Sequence, residues 1–134
     1  MLQTIYNIHA IHHVSLIVTN CHISLNFYVD ILGLKVDPNR PDLGYPGAWL
    51  VIGSSNKQQL HLMEFPEQAA KQKSDRDQQA HPGHGPHLAL AVEDLSVIQA
   101  KLEQENIKYS LSRSGRVALF CADHDGNAIE LIEV

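Results

Sequence analysis

The stretch HVSLIVTN, from His13 to Asn20, decides the fold, because a related stretch, HLALAVED, runs from His87 to Asp94 at an offset of 74 residues (87 − 13). In both stretches large aliphatic residues alternate with small or polar ones, which is the period of a half-buried β-strand. Both stretches end on a residue that can cap a helix, and apolar residues at helical spacing follow. The same strand and helix therefore occur twice.

The segments after each helix also correspond. Residues 50–64 align with residues 119–133 at an offset of 69 (119 − 50), and each segment has the pattern of two strands joined by a polar turn. We predict helices over 20–33 and 94–106. The order strand, helix, three strands thus appears twice, which indicates a duplicated module packed on its copy about a pseudo-two-fold axis.

Residues 66–85, between the two copies, consist mainly of polar residues, glycine and proline, with almost no large apolar side chain. This composition is typical of a connecting segment. We therefore predict one domain over residues 1–134, with a first module at about 9–65, a linker at 66–85 and a second module at about 86–134.

Composition excludes several classes of partner. The 134 residues include 15 Asp and Glu against 10 Lys and Arg, for a formal charge of −5, so no basic stripe is available to neutralise nucleic-acid phosphates. No apolar run reaches the roughly 18–20 residues of a membrane span, and no signal-peptide pattern is present. With only two cysteines, Cys21 and Cys121, the sequence predicts a cytoplasmic chain with free thiols and neither nucleic-acid nor membrane partners.

Nine histidines are many for this length, and the repeat places several at matching positions. His13 aligns with His87 in the first strands, and His61 aligns with Glu130 in the last strands. In symmetrically packed modules these side chains converge, and three imidazoles with one carboxylate suit Zn, Ni, Fe, Co or Mn. A single half-buried histidine needs no metal, but packing gives no reason for matched pairs. The sequence therefore predicts one divalent metal per site.

Three further residues are candidates for substrate binding. Arg113 and Arg116, in a turn rich in Ser and Gly, can clamp a carboxylate or phosphate, although a solvated turn has the same composition. Trp49 can line the wall of an apolar cleft or pack in the core. We expect His12 to point away from His13, because neighbours in a strand alternate between faces.

Five segments resemble a known family: IHHVSLIV at 11–18, LNFYVDILGL at 25–34, LHLME at 60–64, PHLALAVED at 86–94 and LFCADHDGNAIELIE at 119–133. They are similar to the vicinal oxygen chelate superfamily, which includes glyoxalase I, extradiol dioxygenases, methylmalonyl-CoA epimerase and fosfomycin or bleomycin resistance proteins. The resemblance is greatest to small glyoxalase I-like proteins, which share the AWL, LHLME and SRSGR segments found here at 48–50, 60–64 and 112–116.

The resemblance implies an α+β fold, in which two βαβββ modules form a curved mixed-sheet cleft. It also implies metal ligands on the first and fourth strands of each module, which are here His13, His61, His87 and Glu130. A small-molecule substrate and a homodimer are implied as well, because the shortest relatives pair and commonly build one site from the modules of two chains.

The function predicted from these features is a divalent-metal-dependent lyase or isomerase of glyoxalase I-like type. It acts on a small carbonyl substrate through an enolate that the metal stabilises, with Glu130 as the catalytic proton carrier and glutathione or another thiol as a candidate co-substrate. Glyoxalase I has Glu or Gln at the position of His61, and a neutral imidazole in place of a carboxylate raises the net charge of the site by one. Two alternatives stay open: an Fe(II) extradiol-type dioxygenase, and a non-catalytic small-molecule binding or drug-resistance protein.

Overall fold

The computed structural model describes residues 6–77 and 81–134, in which two modules each contribute four strands. The strands of the first module are β1 (His13–Val18), β2 (Lys35–Val36), β3 (Gly47–Ile52) and β4 (Gln58–Glu64). Those of the second are β5 (His87–Val92), β6 (Ser110–Leu111), β7 (Ala118–Ala122) and β8 (Ala128–Glu133). The α-helices are α1 (Cys21–Leu25), α2 (Pro66–Arg76) and α3 (Leu95–Gln104).

The two sheets have the same topology. Their strand orders are β1-β4-β3-β2 and β5-β8-β7-β6, and in each sheet the first strand is parallel to the fourth while the other pairs are antiparallel. Ser15 pairs with His61, and Ala89 pairs with Glu130, so the two ladders have equivalent register. This confirms the predicted α+β fold of two βαβββ modules.

The third strands match at an offset that differs from the predicted one. Trp49 pairs with His61, and Phe120 pairs with Glu130, so β3 corresponds to β7 at an offset of 71 (120 − 49) and the predicted 69 is wrong for this strand. The cause is a longer first hairpin: His61 lies twelve positions after Trp49 (61 − 49), but Glu130 lies ten positions after Phe120 (130 − 120).

The helix of the first module is less regular than its sequence predicted. The α-helical part, α1, is short, and a π-helical segment, Asn26–Ile31, follows it directly. Asn20 caps α1 as expected, because its side chain accepts a hydrogen bond from the backbone N–H of Ile23 at 3.2 Å. Gly33, with φ of +77°, ends the helix as predicted. In this wider π-helical turn the consecutive residues Phe27 and Tyr28 are both buried.

The segment 66–85 connects the modules, but its composition did not predict the regular structure that it contains. Helix α2 begins with a proline, has a glutamate in its first turn and has two basic residues in its last turn, an order that suits the helix dipole. Ala69, which is 1% exposed, is its buried residue. This small buried side chain, together with hydrogen bonds from Lys73 and Arg76 to the turn between β7 and β8, holds the helix in place without a stripe of large apolar side chains.

One cluster of buried side chains joins the modules, and its largest fully buried members come from both. They are Val18, Tyr28, Leu50, Leu60, Leu62, Leu102, Leu119, Ile129 and Leu131. Among the residues that the structure describes, no helix is long and apolar enough to cross a membrane.

A buried polar cluster also links the modules through the turn between β7 and β8. Asp123 accepts a hydrogen bond from the Tyr28 hydroxyl at 2.7 Å, and the Asn127 side-chain amide donates to the Ile17 carbonyl at 3.1 Å. The sequence predicts only that this turn joins two strands within one module. In the structure it fixes the second module against the first strand and helix of the first.

Candidate metal centre

The four predicted metal ligands lie on the sheet faces that do not pack into the core, which we call the open faces. In β4, Leu60 and Leu62 are buried and His61, between them, is partly exposed on the other face. His13, His87 and Glu130 occupy the corresponding faces of their strands, as side-chain alternation requires. This agrees with the face predicted for His13 and His87, whereas Glu130, on the corresponding face of its strand, is only 3% exposed.

In the first module, His13 and His61 form a stacked pair. Their ring centroids are 4.2 Å apart with an interplanar angle of 16°, and Trp49 stacks on His61 at 4.6 Å and 10°. Trp49 thus lies on the open face, where its ring covers one side of the histidine pair. Of the two positions that the sequence left open for Trp49, the structure selects this one.

Hydrogen bonds leave one nitrogen of His61 free. The Gln59 amide donates to Asp37 at 2.9 Å and to Asn56 at 2.8 Å, so its oxygen faces His61 Nε2 at 2.8 Å. Nε2 then carries the proton, and Nδ1 keeps a lone pair. Burial lowers the pKa of His61, and the neighbouring His13 lowers it further. The neutral imidazole, which is the form that binds metals, is thereby favoured.

In the second module, His87 and Glu130 form a pair with the chemistry of a partial metal site. His87 Nδ1 lies 2.9 Å from the Gly85 carbonyl, which can only accept, so this nitrogen is the donor. In the neutral ring Nε2 then has a lone pair, and it lies 3.3 Å from Glu130 Oε1. Two acceptors that face each other need a cation between them, either a proton or a metal with bonds of about 2.0–2.2 Å. The donor set therefore fits a divalent metal.

The two predicted substrate-binding arginines lie in different surroundings. Arg116 places Nη2 at 3.4 Å from Glu130 Oε2, so it contacts the predicted catalytic carboxylate, while 58% of its side chain stays exposed. Arg113 instead lines a pocket of about 690 Å³ on the same module. Within one chain the two guanidinium groups therefore do not form a clamp around one anion.

The predicted convergence of four ligands is not found within one chain. Across residues 6–77 and 81–134, no three His, Cys, Asp or Glu side chains come close enough together to hold a metal ion. Each module instead places two of the four predicted ligands beside each other on its own open face.

His12 is a residue whose place the sequence analysis predicted wrongly. Its Nδ1 lies 2.8 Å from Nδ1 of His13, and the two rings meet at 79° with centroids 5.1 Å apart. Strand alternation does not apply to His12, because β1 begins at His13. One of the two nitrogens must donate, and donation by His13 would leave its Nε2 free for a metal. The adjacent histidines in the sequence were the signal that could have shown this.

Comparison with known proteins agrees with this architecture. The family described as the Glyoxalase/Bleomycin resistance protein/Dioxygenase superfamily matches residues 10–131. Glyoxylase I 4 of Arabidopsis thaliana is 31% identical over 131 residues, which covers 91% of this chain and 69% of the relative.

Two solved structures illustrate the range of similar folds. A glyoxalase family protein from Enterococcus faecalis superposes with a TM-score of 0.66 at 28% identity, covering 92% of this chain and 97% of that one. TnmS3, an antibiotic binding protein from Streptomyces sp. CB03234, superposes with a TM-score of 0.67 at 21% identity, covering 96% and 98%. The second likeness concerns the fold alone.

Proposed function

Because the chain belongs to the glyoxalase/bleomycin resistance protein/dioxygenase superfamily, we propose that it is a divalent-metal-dependent lyase or isomerase of glyoxalase I-like type. The observation that supports this most directly is the pair formed by His87 Nε2 and Glu130 Oε1, two acceptors 3.3 Å apart. A proton or a metal ion can lie between these two atoms, and the proposal assigns a metal there; Glu130 also supplies a carboxylate able to move a proton.

In the proposed protein the metal site is shared between two copies of the chain. A pair supplies two donors, fewer than the three or four protein ligands of a typical catalytic or structural zinc site. His13 and His61 of one chain would join His87 and Glu130 of the other, and two-fold symmetry would give two sites per homodimer. The open faces, with His13 and His87 exposed in the single chain, are the surfaces available for this pairing.

The contacts of each residue indicate its role in the proposed reaction. A bound divalent metal supplies Lewis-acid polarisation of a substrate carbonyl oxygen. Glu130 accepts a proton from the carbon next to that carbonyl and returns it to the neighbouring carbon. Arg116, at 3.4 Å, balances the charge of this carboxylate and keeps donors free for the substrate. Trp49 provides an apolar wall that excludes water from the His61 side.

The activity is tested with the hemithioacetal of methylglyoxal and glutathione, by following thioester absorbance with Zn, Ni, Co and Mn in turn. Turnover that depends on a stoichiometric metal supports the proposal. Oxygen consumption on a catechol by the iron-loaded protein would instead support the dioxygenase alternative. If the protein binds the metal but catalyses neither reaction, the non-catalytic binding alternative is supported.

The shared site is tested by mixing two inactive variants, His13→Ala and Glu130→Ala. In a mixed dimer one site carries both defects and the other carries none, so equal mixing and full exchange should restore about a quarter of wild-type activity and metal binding. A mixture of His13→Ala with His22→Ala, which changes an exposed helical histidine, provides the matched control. If verified mixed dimers regain nothing, the shared arrangement is wrong.

A further inference from the structure

A pocket of about 690 Å³ lies on the second module, beside the candidate pair His87 and Glu130. Its lining includes the guanidinium of Arg113, the imidazoles of His81 and His84, and hydroxyl groups of β6 and the turn that follows it. No carboxylate is among the described residues that line it. Its polar groups are therefore cationic or neutral.

Phe120 connects this pocket to the candidate metal pair. Its ring lines the pocket and meets the ring of His87 edge to face, at 5.4 Å and 81°. In the sheet Phe120 is also the direct ladder partner of Glu130. A molecule resting on Phe120 thus extends from the pocket toward both metal-ligand candidates of the second module.

Hydrogen bonding within the pocket leaves donors without acceptors. The Gly83 N–H donates to His81 Nδ1 at 2.9 Å, so His81 must carry its proton on Nε2, which lies 3.2 Å from the Ser110 hydroxyl oxygen. That oxygen accepts, and the Ser110 hydroxyl hydrogen stays free to donate into the pocket. Among residues 6–77 and 81–134, Arg113 has neither a hydrogen-bond nor an ion-pair partner.

The turn Pro82–His84 packs closely against the ring of Phe120. A Cβ at Gly83 would lie 2.8 Å from two carbons of the Phe120 ring, so a larger residue at this position would have to displace the ring. The turn Pro82–His84 therefore has a defined place against the ring, and the pocket is a built feature of the module.

We propose that this pocket binds the anionic end of the substrate, a carboxylate or phosphate carried on a flat unsaturated or aromatic body. Arg113 and the Ser110 hydroxyl hold the anion through charge-assisted and neutral hydrogen bonds, and the body lies on Phe120. This proposal rests on the proposed function, because the reactive part of such a molecule would lie toward His87 and Glu130. It adds to the proposed function a preference for carbonyl substrates that carry an anionic group on a planar body.

The test uses NMR titration of the full chain, as purified and again after metal removal with EDTA, with benzoate, phenyl phosphate and neutral benzamide as probes. Benzoate or phenyl phosphate should shift the resonances of Ser110, Arg113 and Phe120, and the anion that binds more tightly identifies the preferred group. Benzamide should bind at least about tenfold more weakly, because it lacks the charge.

Matched variants decide the role of the guanidinium. Arg113→Gln should weaken anion binding at least about tenfold, while Lys57→Gln, in the distant turn between β3 and β4, should leave it unchanged. Gly83→Ala, which displaces the Phe120 ring, should weaken all three probes. Equal binding of benzamide, unchanged binding by Arg113→Gln, or absence of shifts at these residues would overturn the proposal. Because the pocket contains none of the metal ligands, these results are independent of whether the metal-dependent activity is found.

Discussion

Removing the Asp123 carboxylate should strongly destabilise the fold, because this group holds the two modules together. It accepts four hydrogen bonds: from the Tyr28 hydroxyl at 2.7 Å, from the Asn127 amide at 2.8 Å, and from the backbone N–H groups of Asp125 and Asn127, both at 2.9 Å. Asp123→Ala deletes all four acceptor contacts while the donors stay buried.

The expected loss of stability in Asp123→Ala depends on which hydrogen-bond donors still have another acceptor. The Asn127 amide retains the Ile17 carbonyl, but the fully buried Tyr28 hydroxyl and two backbone N–H groups lose their partner. Unsatisfied buried donors cost about 1–3 kcal/mol each, and relief of the buried charge offsets part of this. We expect Asp123→Ala to lower the free energy of unfolding by about 3–5 kcal/mol. Tyr28→Phe leaves the carboxylate its other three donors and should cost about 1–2 kcal/mol.

Urea denaturation followed by circular dichroism measures both effects and their coupling. The double variant should be less destabilised than the sum of the single variants, because both remove the same hydrogen bond. Val97→Ala, at an exposed helical position, serves as the control and should stay within about 0.5 kcal/mol of wild type. A loss below about 1 kcal/mol for Asp123→Ala, or strict additivity with Tyr28→Phe, would refute the structural role of this cluster.

The ionisation of Asp123 makes the stability of the fold depend on pH. Burial raises the pKa of Asp123, although hydrogen bonds from Asn127 and Tyr28 oppose the shift. The folded state therefore binds this proton more tightly than the unfolded state. The part of the stability that comes from binding this proton is full below the unfolded pKa of about 4 and is lost as pH rises through the folded value, while the hydrogen bonds to Asp123 remain. Asp123→Asn does not titrate, so its stability deficit relative to wild type should be larger in acid than near neutrality. A deficit that grows toward neutral pH would contradict this.

Three other predictions concern the candidate site and the thiols. His12→Ala should weaken metal affinity about 10–100-fold in a chelator competition, His12→Asn should restore much of it by accepting from His13, and His22→Ala should have no effect. Glu130→Gln should keep most of the metal while turnover falls by roughly 10²–10⁴, and full turnover would exclude it as the proton carrier. Burial raises the pKa of Cys121 to about 12, so an alkylating reagent near neutral pH should label it far more slowly in native protein than in urea, as mass spectrometry would show.

The sequence determined the features that depend on local periodicity and on the repeat. Alternation in HVSLIV and HLALAV placed His13 and His87 on the faces opposite the core, and it fixed both strands before any contact was known. Capping residues and glycines marked where the helices begin and end. The duplication also predicted the equivalent positions of His61 and Glu130, which sheet register confirms.

Only the tertiary structure decided how these positions combine. The offset of 71 between β3 and β7 depends on strand pairing, and the contact between His12 and His13 depends on where β1 begins. The hydrogen bond from Tyr28 to Asp123 depends on how the two modules pack. Helix α2 was not predicted because it is held by one buried alanine and by hydrogen bonds from Lys73 and Arg76 to a turn of the other module, none of which forms an apolar stripe. The four ligands form two separate pairs because alternation fixes the face of a side chain, whereas the distance between two faces depends on how the modules pack.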